Sequence, residues 1–198
     1  MEQLKILRKR EGMTQAEVAA KLGVDRSTYA KYETGQSEPN FEMTQRLASL
    51  FGISVELLIS GTGSPSGRNW VPVLGDVAAG IPIEAVQDIV DFEEIDAALA
   101  ATGDFFGLRI KGASMEPRIR EGDVVIVRKQ EDADTGDTAV VMVNGDSATV
   151  KRIKKEPDGG LWLLPNNPAY DPQHFSPAEI ASTPVRIIGR VVELRGKF

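Results

Sequence analysis

The stretch ISGTGSPSGRNW, Ile59 to Trp70, separates two apolar patterns that no single type of element can satisfy. Before it, apolar residues recur at the three- and four-residue spacing of helices. After it, they fall in short runs rich in β-branched residues. The divider itself is Gly and Ser with one Pro, the composition of a flexible connection. A chain that changes period in this way is expected to fold as two domains: an all-α unit of five helices over residues 1–59 and a mostly β unit over 71–198, joined by a linker over 60–70.

The helical part reads in detail. Leu4, Ile6 and Leu7 give the first helix an apolar stripe that Gly12 ends. Thr14 with Glu17 three residues on forms a capping box for a second helix, Gln15 to Leu22, and Gly23 supplies the positive φ of a tight turn. Asp25 reads as the cap of a third helix reaching about Glu33, TGQSEPN as a loop, and Phe41 to Phe51 and Ser54 to Leu58 as two further helices. Within TQAEVAAKLGVDRSTYAKYE, Thr14 to Glu33, Ala19 is small where two helices cross, and Val18, Leu22, Val24 and Tyr29 are spaced to share a core. This stretch resembles a helix-turn-helix of the phage-repressor type, the Xre or lambda-repressor-like family, over about residues 2–60. Tyr29 is bulkier than the Ile or Val usual at its position. The resemblance implies that the second helix of the motif enters the major groove of double-stranded operator DNA. Arg26, Ser27, Thr28 and Lys31 are then the exposed positions offered to bases and phosphates, Arg26 being suited to a bidentate contact with guanine. Gln15 resembles the family's phosphate-contacting glutamine, at a helix N-terminus that adds partial positive charge.

In the β part, DVVIVRK (Asp123 to Lys129), TAVVMVNGDSATVKRIKK (Thr138 to Lys155), LWLLP (Leu161 to Pro165) and VRIIGRVVELR (Val185 to Arg195) read as strands, with Asn144-Gly145 as a hairpin turn. The last is equally readable as a dimer-edge strand and as an ordinary core strand. DIVDFEEIDAALAATGDFF, Asp88 to Phe106, reads as an acidic, partly helical surface stretch, and Trp70 and Trp162 as core or interface residues. GASMEPRIREGD sets Ser114 in a turn held by Pro117. ATVKRI sets Lys151 on a strand among apolar neighbours, 37 residues later. VAAG, ending at Gly80, places small residues where neither helix nor strand fits. Cysteine is absent and His174 is the single histidine, so no zinc site, other metal site or cofactor is expected, and a serine nucleophile needs a base other than histidine. Lysine serves if burial disfavours its ammonium. Taken singly, a Ser-Met-Glu-Pro turn is an ordinary turn and a strand lysine an ordinary solvated residue.

In combination, Ala79-Gly80, SMEP and VKR occur in the order and spacing of the LexA family of self-cleaving repressors, which includes the cleavable phage repressors, and the likeness runs from about Val71 to Arg195. The resemblance implies that Ser114 is the nucleophile, Lys151 its general base and Ala79-Gly80 the bond cut in the same chain, with backbone N–H groups near Met115 for the oxyanion. The C-terminal part is then a LexA-type fold that dimerises, and the trigger is a RecA-type filament. The expected function is a dimeric transcriptional repressor, of prophage or damage-response type, inactivated by its own Ser-Lys peptidase. The alternative is a non-cleaving DNA-binding regulator whose β domain dimerises and binds an antirepressor protein or small ligand. Charge bears on the partner. Residues 1–60 carry eight basic and eight acidic residues against 15 and 21 in the remainder, which disfavours strong nonspecific attraction to DNA and leaves affinity to specific contacts and dimerisation. No apolar run reaches the roughly 18 residues of a membrane span, and MEQLKILRKREGM lacks the apolar core of a signal peptide. A cytoplasmic protein without membrane partners is the expectation.

Overall fold

The computed structural model describes residues 2–60, 69–75, 89–144, 147–183 and 185–196. The chain opens with α1 (Glu2–Arg10), α2 (Gln15–Leu22), α3 (Arg26–Thr34), α4 (Phe41–Phe51) and α5 (Val55–Ser60), the five helices the periodicity predicts. The capping box closes in both directions: Thr14 Oγ1 accepts the Glu17 N–H at 3.2 Å, and Glu17 Oε2 accepts the Thr14 N–H at 2.7 Å. Gly23 ends α2 in the left-handed region at φ 70°, so the chain reverses within one residue. Asp25 differs from the expected cap, because its carboxylate makes no capping hydrogen bond. It opens α3 through its extended backbone, whose carbonyl accepts the Thr28 and Tyr29 N–H groups, and its charge faces the positive end of the helix.

Leu4, Val18, Leu22, Leu47 and Phe51 meet in the helical core around a fully buried Tyr29. The bulk of that tyrosine is accommodated because its hydroxyl donates to Leu4 O at 3.4 Å, leaving no orphaned polar tip. Glu33 is buried beside it and accepts from Arg8 Nε at 2.6 Å and Gln15 Nε2 at 2.8 Å. Burial pushes this carboxyl up, but hydrogen bonds from Arg8, Gln15 and Tyr29 outweigh it and hold the group below its ordinary range.

The remainder contains β1 (Trp70–Leu74), β2 (Ile89–Glu94), α6 (Ala97–Ala100), β3 (Phe105–Arg109), β4 (Val124–Lys129), β5 (Thr138–Val143), β6 (Ser147–Lys155), β7 (Leu161–Leu164), β8 (Gln173–Phe175), α7 (Pro177–Ser182) and β9 (Val185–Arg195). Among the described residues nine strands form one sheet in the order β2-β1-β3-β4-β9-β5-β6-β7-β8. Only β1 and β3 run parallel; the other neighbours are antiparallel. Two readings that the sequence left open take definite form. The acidic stretch is partly helical, over α6, and partly strand: Ile89–Glu94 is a strand because Ile89 and Phe92 bury while the acidic side chains stay nearer the surface. The final strand does not lie at an end of the sheet. β9 is central and bridges two halves, pairing through 185–190 with β5 and through 189–195 with β4. Where the ladders overlap, Gly189 has no side chain because an added Cβ would lie 2.4 Å from Arg128 O.

The helical and β parts meet at Arg10, the last residue of α1. Its guanidinium lies over the Trp70 ring at 4.5 Å and pairs with Asp91 at 3.1 Å and Glu93 at 3.3 Å on β2. Among the described residues no helix is long and apolar enough to cross a membrane.

Candidate functional site

Ser114 sits in the turn between β3 and β4, and Lys151 sits in β6 opposite Ala139 of β5. Three strands separate β3 from β6 in the sheet order, so the two residues meet only because the sheet curls until its β3 and β6 regions face each other. Lys151 Nζ lies 2.8 Å from Ser114 Oγ. It lies as close to Thr149 Oγ1, at 2.8 Å, and 3.1 Å from Val150 O. Thr149 was not singled out in the sequence. Its signal was present, because a residue two positions back on a strand shares the lysine's face.

Lys151 is half-buried, and burial lowers its pKa below the ordinary lysine value. The physical cause is desolvation of the ammonium, and among the described residues no carboxylate opposes it. The amine therefore sheds its proton more readily than a surface lysine does. Beside the pair lies a cavity of about 80 Å³, walled by Gly75, Leu108, Met115, Ala148 and Val150. That is room for several water-sized groups beside the serine. Met115 buries its side chain in the core, leaving its backbone to face the turn. Ala79 and Gly80, together with Val77, lie outside the described residues.

The residues expected at DNA lie on α3 and at the start of α2. Arg26, Ser27 and Lys31 are exposed on α3, whereas Thr28 is partly buried, which corrects the expectation that all four face solvent. An α-helix turns about 100° per residue, so four positions in six cannot all lie on one outward line. Gln15 is committed inward through Glu33, and its Oε1 lies 3.4 Å from Arg26 Nη2, linking the N-termini of α2 and α3.

A family model described as peptidase S24-like matches residues 72–192, more than half of the chain. The chain belongs to the peptidase S24-like family. A second model, described as helix-turn-helix, matches residues 4–58. This S24-like chain is similar to proteins called LexA repressor. That of Streptomyces coelicolor is 42% identical over 131 residues, covering 66% of this chain and 55% of that protein. That of Mycolicibacterium vanbaalenii is 39% identical over 134 residues, 67% and 57% of the two chains. That of Bifidobacterium adolescentis is 38% identical over 130 residues, 65% and 50%. The alignments thus span about half the length of these curated relatives. In this S24-like chain the helix-turn-helix match runs from α1 into α5, and the S24-like match begins within β1 and ends within β9.

Proposed function

We propose that this protein is a DNA-binding transcriptional repressor that inactivates itself by cutting its own Ala79-Gly80 bond. The division into a helix-turn-helix unit over 1–59, a connection over 60–70 and a peptidase and dimerisation unit over 71–198 belongs to the same reading. The observation that carries it is the hydrogen bond of 2.8 Å between Ser114 Oγ and a half-buried Lys151 Nζ. A neutral amine has two N–H bonds and one lone pair. Thr149 Oγ1 and Val150 O take the two N–H bonds, and the lone pair remains for the Ser114 hydroxyl proton.

Ser114 Oγ attacks the Ala79 carbonyl carbon while its proton passes to Lys151. The backbone N–H groups at Met115 stabilise the oxyanion. The ammonium then protonates the Gly80 nitrogen as the C–N bond breaks, leaving an ester between Ala79 and Ser114. Water attacks the ester, giving its proton to neutral Lys151, and the released Ser114 oxygen recovers that proton. The products are residues 1–79 with a new carboxylate and residues 80–198 with a new amine. Gly75, on the wall of the cavity, precedes the small residues 78–80 by only a few positions in the sequence.

On the DNA side, Arg26, Ser27, Thr28 and Lys31 read the major groove of double-stranded operator DNA and Gln15 braces Arg26 near the phosphates. A homodimer occupies two half-sites. Cutting between the helix-turn-helix and the dimerising part removes the high effective concentration that linkage gives, and the operator is released. A RecA-type filament on single-stranded DNA is the proposed stimulus, and the cytoplasm the proposed setting.

Intact-mass spectrometry tests the reading with wild type, Ser114→Ala and Lys151→Ala at mildly alkaline pH, with and without activated filament. The expected result is fragments 1–79 and 80–198 from wild type, faster with filament, and a loss on the order of 10⁴-fold or more in each variant. An uncut wild type in both conditions points instead to the regulator that works without cleavage.

A further inference from the structure

Behind Ser114 lies the loop between β7 and β8, which reads Pro165-Asn166-Asn167-Pro168-Ala169-Tyr170. The N–H groups of Asn166 and Asn167 both donate to Ser114 O at 3.0 Å. Asn167 Nδ2 donates to Ala113 O at 2.9 Å, and its Oδ1 accepts the Ala169 N–H at 3.0 Å. Ala113 O also accepts the Glu116 N–H at 3.2 Å. Two consecutive carbonyls, one just before the serine and one belonging to it, are thus each held by two donors.

Peptide geometry turns this anchoring into chemistry. Both peptide units flanking Ser114 are trans, and in a trans unit the N–H points opposite to the C=O in the same plane. Holding Ala113 O against the loop turns the Ser114 N–H away from it. Holding Ser114 O does the same for the Met115 N–H. The two planes also meet at the Ser114 Cα, so fixing both fixes φ and ψ there and with them the direction in which the hydroxymethyl group leaves. An amide side chain suits the task because it combines a donor for Ala113 O with an acceptor for the Ala169 N–H.

We propose that Asn167 is a positioning residue for the Ser114 nucleophile, locking the peptide planes on either side so that Oγ meets Lys151 while the Ser114 and Met115 amides face the attacked carbonyl oxygen. The inference rests on the Ser-Lys reading above and assigns a role to a residue 53 positions beyond the serine. Asn167 makes its hydrogen bonds to Ala113, Ser114, Ala169 and Tyr170, so it acts through the backbone of the turn.

The test uses the full chain as wild type, Asn167→Ala and Asn167→Asp. Two rates are followed across pH: self-cleavage by intact mass, and labelling of Ser114 by a fluorophosphonate probe. The expected result is a fall of about 100-fold in the alkaline plateau of both rates, the size of effect that misplacing a reacting atom by about 1 Å produces. In Asn167→Ala the pH midpoint stays where it is in wild type, because the surroundings of Lys151 are untouched. Asn167→Asp loses the plateau as Asn167→Ala does, since a carboxylate keeps the acceptor for Ala169 and has no donor for Ala113 O; its new charge raises the midpoint by favouring the nearby ammonium, so for that variant only the plateau is read. That plateau decides the matter if Asn167→Ala does not melt cooperatively. Wild-type plateaus in a folded variant overturn the proposal. A midpoint that moves up toward an ordinary lysine in Asn167→Ala also overturns it, because the loop would then be shielding Lys151 and not aiming Ser114. A wild type that neither labels nor cleaves removes the Ser-Lys reading itself, a failure distinct from the other two.

Discussion

Lys151 holds its Nζ within hydrogen-bond reach of three oxygens, and its lowered pKa makes stability and the supply of neutral amine change with pH in the same direction. Between the lowered folded value and the ordinary one, the unfolded chain binds a proton that the folded chain does not. Stability therefore rises as pH climbs through that window and is at its lowest below the folded value, where the native state must carry the ammonium half-buried. On the proposed Ser-Lys reading the base appears over the same range, so the self-cleavage rate is expected to rise with it. Lys151→Met is expected to flatten the alkaline rise in stability, as measured by urea unfolding at a series of pH values. The reverse outcome, a wild type that loses stability over that range while the variant does not, would show that the lysine gains a charge partner on folding. Ser114, Lys151 and Met115 were singled out in the sequence through the family resemblance, and the structure puts Lys151 Nζ 2.8 Å from Ser114 Oγ. Thr149 and Asn167 were not, because a threonine in a strand and an asparagine in a loop look ordinary until the fold shows what they touch.

At the scale of elements, Glu33 joins α3 to α1 through Arg8 and to α2 through Gln15. Glu33→Ala leaves the Arg8 guanidinium without its carboxylate in a nearly dry setting, and the expected loss is about 3 kcal/mol, read from denaturant unfolding of the helical part. Because the folded pKa of Glu33 lies below its ordinary value, its contribution holds above the unfolded pKa and is lost as pH falls through the folded one. The helices themselves were readable from Thr14, Gly23 and the apolar spacing, since caps and periodicity are local. The Arg8–Glu33 pair spans 25 residues and shows in the sequence only as two charges. Among the strands, β5 and β6 were plain from β-branched residues and an Asn-Gly turn, and Asn144 adopts the positive φ such a turn needs, at 56°. β2 was obscured because Asp91, Glu93 and Glu94 dilute its apolar pattern, and the ion pairs of Asp91 and Glu93 to Arg10 lie in another domain.

At the scale of the whole molecule, Arg10 ties the helix-turn-helix part to β1 and β2, the strands on either side of the segment that includes Ala79 and Gly80. Arg10→Ala removes a cation–π contact and two partly exposed ion pairs, together worth about 1–2 kcal/mol. The expected outcome is a single calorimetric transition in wild type that separates into two in the variant, with a larger radius of gyration by small-angle scattering. One unchanged transition would mean that other contacts dock the two parts. Sequence alone determined the two-part organisation, the five helices and most of the strands, because these depend on local periodicity and capping, whereas Ser114 and Lys151 stood out as a pair only through the family resemblance. Only the tertiary structure decided that β9 runs through the middle of the sheet, that curling brings the β3 turn against β6, and that Asn167 holds Ser114 from behind. Those facts depend on which distant backbone groups satisfy one another, and no pattern within a short window of sequence carries that information.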